Sequence, residues 1–163
     1  MAERASLDDD ALAAWRAFLT AHARVTRAIS RELAAEGLPD LGWYDLLWAL
    51  HRAPGRRLRV KDLADAVVLS PTAMSRFVDR VETAGYVRRQ PDPDDRRALQ
   101  VTLTDEGVEL LRRMWPVYAA GIEEHFARPL GRSAKTARAA LERLSDAGAP
   151  SRPAAPPPSA RAR

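Results

Sequence analysis

Residues 70–107 read SPTAMSRFVDRVETAGYVRRQPDPDDRRALQVTLTDEG, and this segment holds the clearest local signals in the chain. Ser70 is a typical N-cap residue, Pro71 suits the first position of a helix, and Gly85 stands where that helix should end. The preceding VKDLADAV, residues 60–67, has the pattern of a shorter helix. The segment therefore predicts a helix-turn-helix whose second helix begins after Ser70.

Two short strands are predicted after this second helix, at residues 86–90 and 99–103. The later strand alternates leucine and valine with glutamine and threonine, which is the period of a half-buried strand. Between them lies PDPDDRRA, residues 91–98, whose prolines and charges are typical of a hairpin loop. The sequence thus predicts a β-hairpin attached directly to the helix-turn-helix.

The acids of this loop do not fit a metal or catalytic site. In an EF-hand calcium loop beginning at Asp92, Arg97 would occupy the glycine position and Leu103 the position of the bidentate glutamate. General acid–base catalysis needs a pocket that shifts a carboxyl pKa, and a hairpin tip beside two arginines offers none. The chain also has no cysteine, and its three histidines lack ligand spacing. We therefore predict no enzyme activity, no metal and no cofactor.

The second helix has two different faces. Its inward positions are apolar, and its outward positions carry hydroxyl, acidic and guanidinium groups: Thr72, Ser75, Arg76, Asp79, Arg80 and Thr83. Such groups can hydrogen-bond base edges and phosphates in a DNA major groove, and the helix N-terminus at Ser70 can bind a phosphate. A polar face can equally be a solvated surface, so the pattern alone does not decide for DNA.

The hairpin strengthens the DNA hypothesis because it would act as a wing. An arginine at its tip, Arg96 or Arg97, could enter a narrow minor groove, whose negative potential attracts it. Residues 52–103 carry 11 Lys and Arg against 7 acids, whereas residues 1–51 carry 5 Arg against 8 acids. The basic excess therefore coincides with the winged segment, which favours a polyanionic partner.

Amphipathic helices flank the winged segment. Residues 8–35, 41–52 and 133–147 are predicted helices, and a further long helix begins at Thr104, which Pro116 should kink or interrupt. The two long helices carry apolar stripes at the same spacing, namely Trp15, Phe18, His22, Val25, Ile29 and Leu33, and Val108, Leu111, Trp115, Tyr118, Ile122 and Phe126. A monomer would expose much of these stripes, so we predict a homodimer.

The remaining composition predicts a cytoplasmic protein. No window approaches the roughly 20 apolar residues of a membrane span, and MAERASLDDD is acidic where a signal peptide is basic. Residues 149–163 lack bulky apolar side chains and are predicted to form a disordered tail rich in proline, alanine and arginine.

Residues 70–107 resemble the winged helix of the MarR family, the multiple-antibiotic-resistance regulators of bacterial transcription. The VxxLA-like first helix at residues 60–64, the aromatic-rich helix before it, the D-x-R wing tip at residues 95–97 and the LTxxG entry at residues 103–107 carry the resemblance. The flanking helices match the family's layout, so the resemblance covers about residues 8–147.

The resemblance implies a mainly α fold with a small β-hairpin wing. Residues 41–103 would form the winged helix-turn-helix, and residues 8–36 and 104–147 would form a helical dimerisation region. The predicted DNA-binding residues are Ser70 and Arg80, from the helix itself, and Thr72, Ser75, Arg76, Asp95, Arg96 and Arg97, which the resemblance implies by position. Among them, Thr72, Ser75 and Arg76 would read the major groove, Asp95 would hold Arg97 at the wing tip, and Arg96 would contact phosphate.

The resemblance further implies a ligand-responsive repressor that binds a palindromic operator in double-stranded DNA. Its effector would be a small aromatic or phenolic molecule, in a pocket between the dimer helices and the winged region. The candidate pocket residues, each of which could equally be ordinary packing, are Trp15, Trp43, Tyr44, Trp48 and His51. The alternative is a nonspecific DNA-coating or architectural protein without small-molecule control.

Overall fold

The computed structural model describes residues 8–67, 69–92 and 99–148. The chain is mainly helical with one small sheet. Its helices are α1 (Asp9–Ala35), α2 (Leu41–Arg52), α3 (Val60–Ala66), α4 (Pro71–Thr83), α5 (Asp105–Ile122), α6 (Arg128–Leu130) and α7 (Ala134–Gly148). Short 3-10 turns cover Pro54–Arg56 and Gly131–Ser133, and a π-helical turn covers Glu123–Ala127. The strands are β1 (Arg57–Arg59), β2 (Val87–Pro91) and β3 (Leu99–Leu103). The fold class predicted from the sequence is confirmed.

Side-chain caps explain where the main helices begin. The carboxylate of Asp40 accepts a hydrogen bond from Gly42 N at 2.9 Å and starts α2. The Ser70 hydroxyl accepts from Ala73 N at 3.2 Å, as predicted, and Thr104 Oγ1 accepts from Gly107 N at 3.0 Å at the start of α5. Each cap satisfies an amide that the first helical turn leaves unpaired.

The sheet is antiparallel with strand order β1-β3-β2. The β2–β3 hairpin agrees with the prediction, and Val87 lies opposite Leu103. β1 was not predicted, because RRLR was interpreted as a basic connector. The structure corrects this interpretation: Leu58 pairs with Val101 and adds a third strand. Three residues are too few for an alternating pattern to be visible in the sequence.

One core joins the winged segment to the long helices. Leu46, Leu47 and Leu50 of α2 are fully buried at its centre. Around them lie buried apolar residues of all the neighbouring elements, including Leu33, Leu63, Met74, Val78, Val81, Val101, Leu110 and Met114. α2 therefore packs against both α5 and β3, and it links the long helices to the sheet.

α5 is not interrupted at Pro116, contrary to one of the two outcomes predicted for that residue. The helix continues to Ile122, and the irregular π-helical turn lies further on, at Glu123–Ala127. Pro116 is exposed and removes a single backbone hydrogen bond, while Met114 and Leu111 on the buried face keep the helix packed.

The apolar stripe of α1 is only half covered by the chain itself. Ile29 and Leu33 are buried, whereas Trp15 is 55% exposed and Phe18 is 41% exposed. Leu144 of α7 is also exposed. Large apolar side chains exposed on α1 and α7 are typical of residues that a partner covers. Among the described residues, no helix has the length and apolarity needed to cross a membrane.

Candidate nucleic-acid interface and adjoining cavity

The outward face of α4 carries the residues predicted to contact DNA. Thr72, Ser75, Arg76 and Arg80 are all exposed, while Met74 and three other apolar residues bury the opposite face. Arg76 forms no ion pair with any residue that the structure describes, and the Arg80 guanidinium lies 5.0 Å from the centre of the Phe77 ring. The helix therefore presents hydroxyl and guanidinium groups to the solvent.

Arg89 of β2 ties this helix to the hairpin. Its Nη1 lies 2.7 Å from Oδ1 of Asp79 and 2.7 Å from Oε2 of Glu82, and its Nη2 donates to the carbonyl oxygen of Ser75 at 2.9 Å. The Arg89 amide also donates to Oε1 of Glu82 at 2.5 Å. One side chain thus spans nearly two turns of α4 and sets the position of the helix relative to the strand.

A second group of side-chain hydrogen bonds lies where the hairpin loop begins. Asp92 is 1% exposed, and its Oδ2 accepts hydrogen bonds from Arg59 Nε at 2.6 Å and Gln100 Nε2 at 2.9 Å. Sequence reasoning treated Asp92 as a loop acid and missed this role, because its partner Arg59 belongs to the unpredicted strand β1. The tip residues Asp95, Arg96 and Arg97 lie outside the described residues.

Beside the winged segment, α2 and α5 enclose a cavity of about 720 Å³. Its lining combines four tyrosine and tryptophan rings, three aliphatic side chains, one aspartate, one histidine and two arginines. The lining residues are Tyr44, Asp45, Trp48, His51, Arg56, Val108, Leu111, Arg112, Trp115, Tyr118 and Ile122. Its size suits a small organic ligand.

The aromatic wall of this cavity is a contiguous set of rings. Tyr44 and Tyr118 meet edge to face with centroids 4.7 Å apart, and Tyr44 stacks with Trp48 at 6.1 Å and with Trp115 at 6.3 Å. Trp48 in turn stacks with His51 at 5.5 Å. Such contacts hold each ring against its neighbour along the cavity wall.

Burial shifts three acidic groups of the cavity in the same direction. It raises the pKa of the Tyr44 and Tyr118 phenols; Tyr118 raises the pKa of Tyr44 further, and the nearby Asp45 carboxylate contributes to both. The pKa of Asp45 is also raised, first by burial and then by repulsion from Asp40. His51 Nδ1 is buried and has no hydrogen-bond partner within the described part of the chain.

The five predicted pocket residues separate into two groups. Tyr44, Trp48 and His51 line the cavity. Trp43 instead packs edge-on against Phe77 and Tyr86 inside the winged segment, and Trp15 stacks with Phe18 on the exposed part of α1. The spacing along α2 explains this difference, because positions 44, 48 and 51 lie on one face of the helix and position 43 does not.

Sequence reasoning missed the cavity residues that lie far away in the chain. Tyr118 was identified only as a member of an apolar stripe, and Arg112, one turn before Trp115 on α5, was not singled out. Arg56 follows Gly55, and both have positive φ, at 55° and 64°. No local pattern indicates that this unusual turn places Arg56 at the cavity.

Comparison with known proteins identifies the fold. The sequence profile of the MarR family matches residues 36–98. The regulator HosA of Escherichia coli O111:H- is 33% identical over 96 residues, which are 58% of this chain and 70% of that protein. The regulator PecS of Dickeya dadantii is 33% identical over 84 residues, 50% of this chain and 46% of that protein. The chain thus spans about half the length of PecS.

Solved structures agree over nearly the whole chain. AbsC, a MarR family transcriptional regulator from Streptomyces coelicolor, has 32% identity and a TM-score of 0.77, over 86% of this chain and 95% of that one. A second regulator of the family from the same organism, solved in complex with DNA, has 29% identity and a TM-score of 0.81, over 93% of this chain and 95% of that one. The chain is therefore a member of the MarR family, a family of transcriptional regulators and not of enzymes.

Proposed function

We propose that the chain is a sequence-specific DNA-binding repressor that acts as a homodimer on a palindromic operator. The observation that carries the proposal is the exposed face of α4, which Arg89 holds at a set position beside the sheet. A related regulator of the same family was solved in complex with DNA. Acting on chromosomal DNA, the protein would work in the cytoplasm.

In this proposal the residues of α4 and of the wing have separate tasks. Thr72, Ser75 and Arg76 read base edges in the major groove, where a guanidinium can donate twice to guanine. Ser70 and Arg80 contact phosphates and position the helix. At the wing tip, Asp95 orients Arg97 into the minor groove and Arg96 binds phosphate.

The homodimer is supported by exposed apolar side chains on two of the helices. Trp15, Phe18 and Leu144 are exposed on α1 and α7. A second copy would cover this surface around a two-fold axis and would present two α4 helices to two half-sites. The expected half-site spacing is about one helical turn of DNA or a multiple of it.

The cavity between α2 and α5 is the proposed effector site. Tyr44, Trp48 and His51 form part of its wall, and α2 also packs on α3 and β3. A ligand that binds better to one arrangement of the two recognition helices shifts the dimer towards it. Repression would be relieved when the favoured spacing does not match the operator.

Footprinting on the DNA that flanks the chain's own coding region tests the proposed function. We expect a protected palindrome and a preference for it over unrelated DNA of roughly a thousandfold or more at physiological salt. Nearly equal affinity for both DNAs would instead support the alternative, a nonspecific coating protein.

Replacing Arg97 with alanine tests the wing. We expect operator affinity to fall about tenfold and the slope of log affinity against log salt to fall by about one, since a cationic contact to DNA is lost. A loop-tip side chain holds no core, so the midpoint of thermal unfolding should not change. Arg113→Ala, at an exposed position of α5, is the matched control. Equal operator affinities of the two variants would contradict the wing assignment.

A further inference from the structure

Asp45 is the one carboxylate among the described residues that line the cavity, and it lacks a hydrogen-bonding or charged partner. It lies on the α2 wall, one residue after Tyr44, and is exposed to solvent at the cavity. Its carboxylate forms neither a hydrogen bond nor an ion pair with any described residue. Asp40 lies close enough to repel it. The α2 side of the cavity therefore carries negative charge that the described part of the chain leaves uncompensated.

The two arginines of the cavity, by contrast, already have acidic partners. Arg56 Nη1 lies 3.8 Å from Oδ1 of Asp105, and Arg112 Nη1 lies 3.3 Å from Oε2 of Glu109. These pairs are exposed and individually weak, but each places a carboxylate beside its guanidinium. Asp105 and Glu109 thus balance the charges of the two arginines, and the charge of Asp45 remains. The net charge around the cavity is therefore negative and favours a cation over an anion.

The aromatic wall favours the same kind of ligand. Tyr44, Trp48, Trp115 and Tyr118 line the same cavity as Asp45. The electron-rich face of an indole or phenol ring attracts a positive group, and several such faces together form the usual receptor for alkylated ammonium ions. A carboxylate placed among such rings adds direct charge pairing to this attraction.

From these observations we propose that the cavity binds a small organic cation with an apolar or aromatic body, and that Asp45 is its counter-ion. The inference rests on the proposed function in one respect, since it takes this cavity as the effector site of a DNA-binding regulator. It assigns the effector a positive charge, whereas the family resemblance implied an aromatic or phenolic molecule, often an anion.

Binding should depend on pH with a definite sign. A cation pairs with the ionised carboxylate, so affinity is present above the pKa of Asp45 and is lost as the pH falls through it. Burial and Asp40 raise that pKa, so the loss begins at a higher pH than for an ordinary aspartate. The other groups that face the cavity are Tyr44, His51, Arg56, Arg112 and Tyr118.

The Asp45→Asn variant should remain folded and be slightly more stable than the parent at neutral pH. A carboxyl whose pKa is raised by folding destabilises the folded chain when it is ionised, and stability is lost as the pH rises through the raised value. The asparagine amide cannot ionise, so the variant avoids this destabilisation of the folded chain. Thermal unfolding of both proteins at neutral pH and at pH 4 measures the effect, which should shrink at the lower pH.

Tetraphenylphosphonium and tetraphenylborate are the probes for ligand charge, because they have nearly the same shape and opposite charges. Each probe is titrated into the full chain, and binding is measured by calorimetry and by quenching of tryptophan fluorescence. The cation should bind at least about tenfold more tightly than the anion. Asp45→Asn should lose about tenfold in cation affinity and none in anion affinity. Asp65→Asn, an exposed carboxylate on α3 outside the cavity, is the matched control and should bind like the parent. Trp48→Leu, which removes one ring face, should also weaken cation binding.

The result that overturns the inference is tighter binding of tetraphenylborate, or equal cation affinity of the parent and Asp45→Asn. Operator binding of the same preparation separates this failure from failure of the proposed function. A chain that protects its operator but prefers the anion retains the proposed function and refutes the cationic effector. A chain that binds the cation through Asp45 but protects no DNA supports the cation site and contradicts the regulator.

Discussion

Replacing Gly107 with alanine should lower the free energy of unfolding by about 3 kcal/mol. Gly107 is buried in the first turn of α5, and a Cβ there would lie 2.3 Å from the carbonyl oxygen of Tyr86 and 2.6 Å from Cδ1 of Leu103. The Tyr86 carbonyl cannot easily move, because it accepts the amide hydrogen of Thr104 at 3.1 Å. Urea unfolding followed by circular dichroism gives the free energy of both proteins.

Gly42→Ala is the matched control for this substitution. Gly42 lies in the first turn of α2, where a Cβ would meet Asp40 Oδ1 at 3.1 Å and the Phe77 ring at 3.6 Å. The aspartate side chain can shift, and alanine has a higher helix propensity than glycine by about 1 kcal/mol. Near-neutral stability of Gly42→Ala is therefore expected. If both variants unfolded at the same urea concentration as the parent, the close packing inferred at Gly107 would be wrong.

The contact at Gly107 gives a physical reason for the LTxxG motif on which the family resemblance partly rests. Thr104 caps α5 through Gly107 N at 3.0 Å, and its hydroxyl donates to the Gly85 carbonyl at 2.9 Å. The same few residues thus join the end of α4, the last strand and the start of α5. A side chain at position 107 would separate these elements.

The local features of the fold could be predicted because their causes are close together in sequence. Ser70 caps the helix that it precedes, and the alternation of residues 99–103 is visible within five residues. The helix ends at Arg52 and Ala35 also agree with the prediction, since Pro54 and Gly37 mark them. Such signals depend on the chain's own backbone and need no knowledge of tertiary contacts.

The features that local patterns could not predict depend on contacts between distant residues. Arg59 and Asp92 are 33 residues apart, and neither residue has a local signal for the pair. The cavity brings Tyr44 beside Tyr118 and Trp115 of another helix, which no single stripe indicates. Arg89 is one of two adjacent arginines in a basic strand, and only the structure distinguishes it from its exposed neighbour Arg88.

Replacing Arg89 with methionine should reduce operator affinity about a hundredfold. Methionine fills much of the same space but cannot donate to Asp79, Glu82 and the Ser75 carbonyl. The two carboxylates would then repel each other on one face of α4, and the helix would lose its fixed position relative to the sheet. Because the proposed DNA-reading residues, Arg76 and its neighbours, can reach base edges only when the helix lies at the correct angle, specific binding should fall more than nonspecific binding. Binding isotherms for operator and unrelated DNA at several salt concentrations measure both.

The salt dependence separates this positioning role from a direct phosphate contact. Arg89 is bound by its own chain, so its loss should leave the slope of log affinity against log salt unchanged, whereas removal of a phosphate-binding arginine lowers that slope by about one. Arg89→Lys keeps the charge but not the planar set of donors, so it should restore little of the specific affinity. Arg113→Met is the control for loss of an exposed arginine. A lower slope for Arg89→Met, or full recovery with lysine, would show that Arg89 acts on DNA through its charge and not through the position of α4.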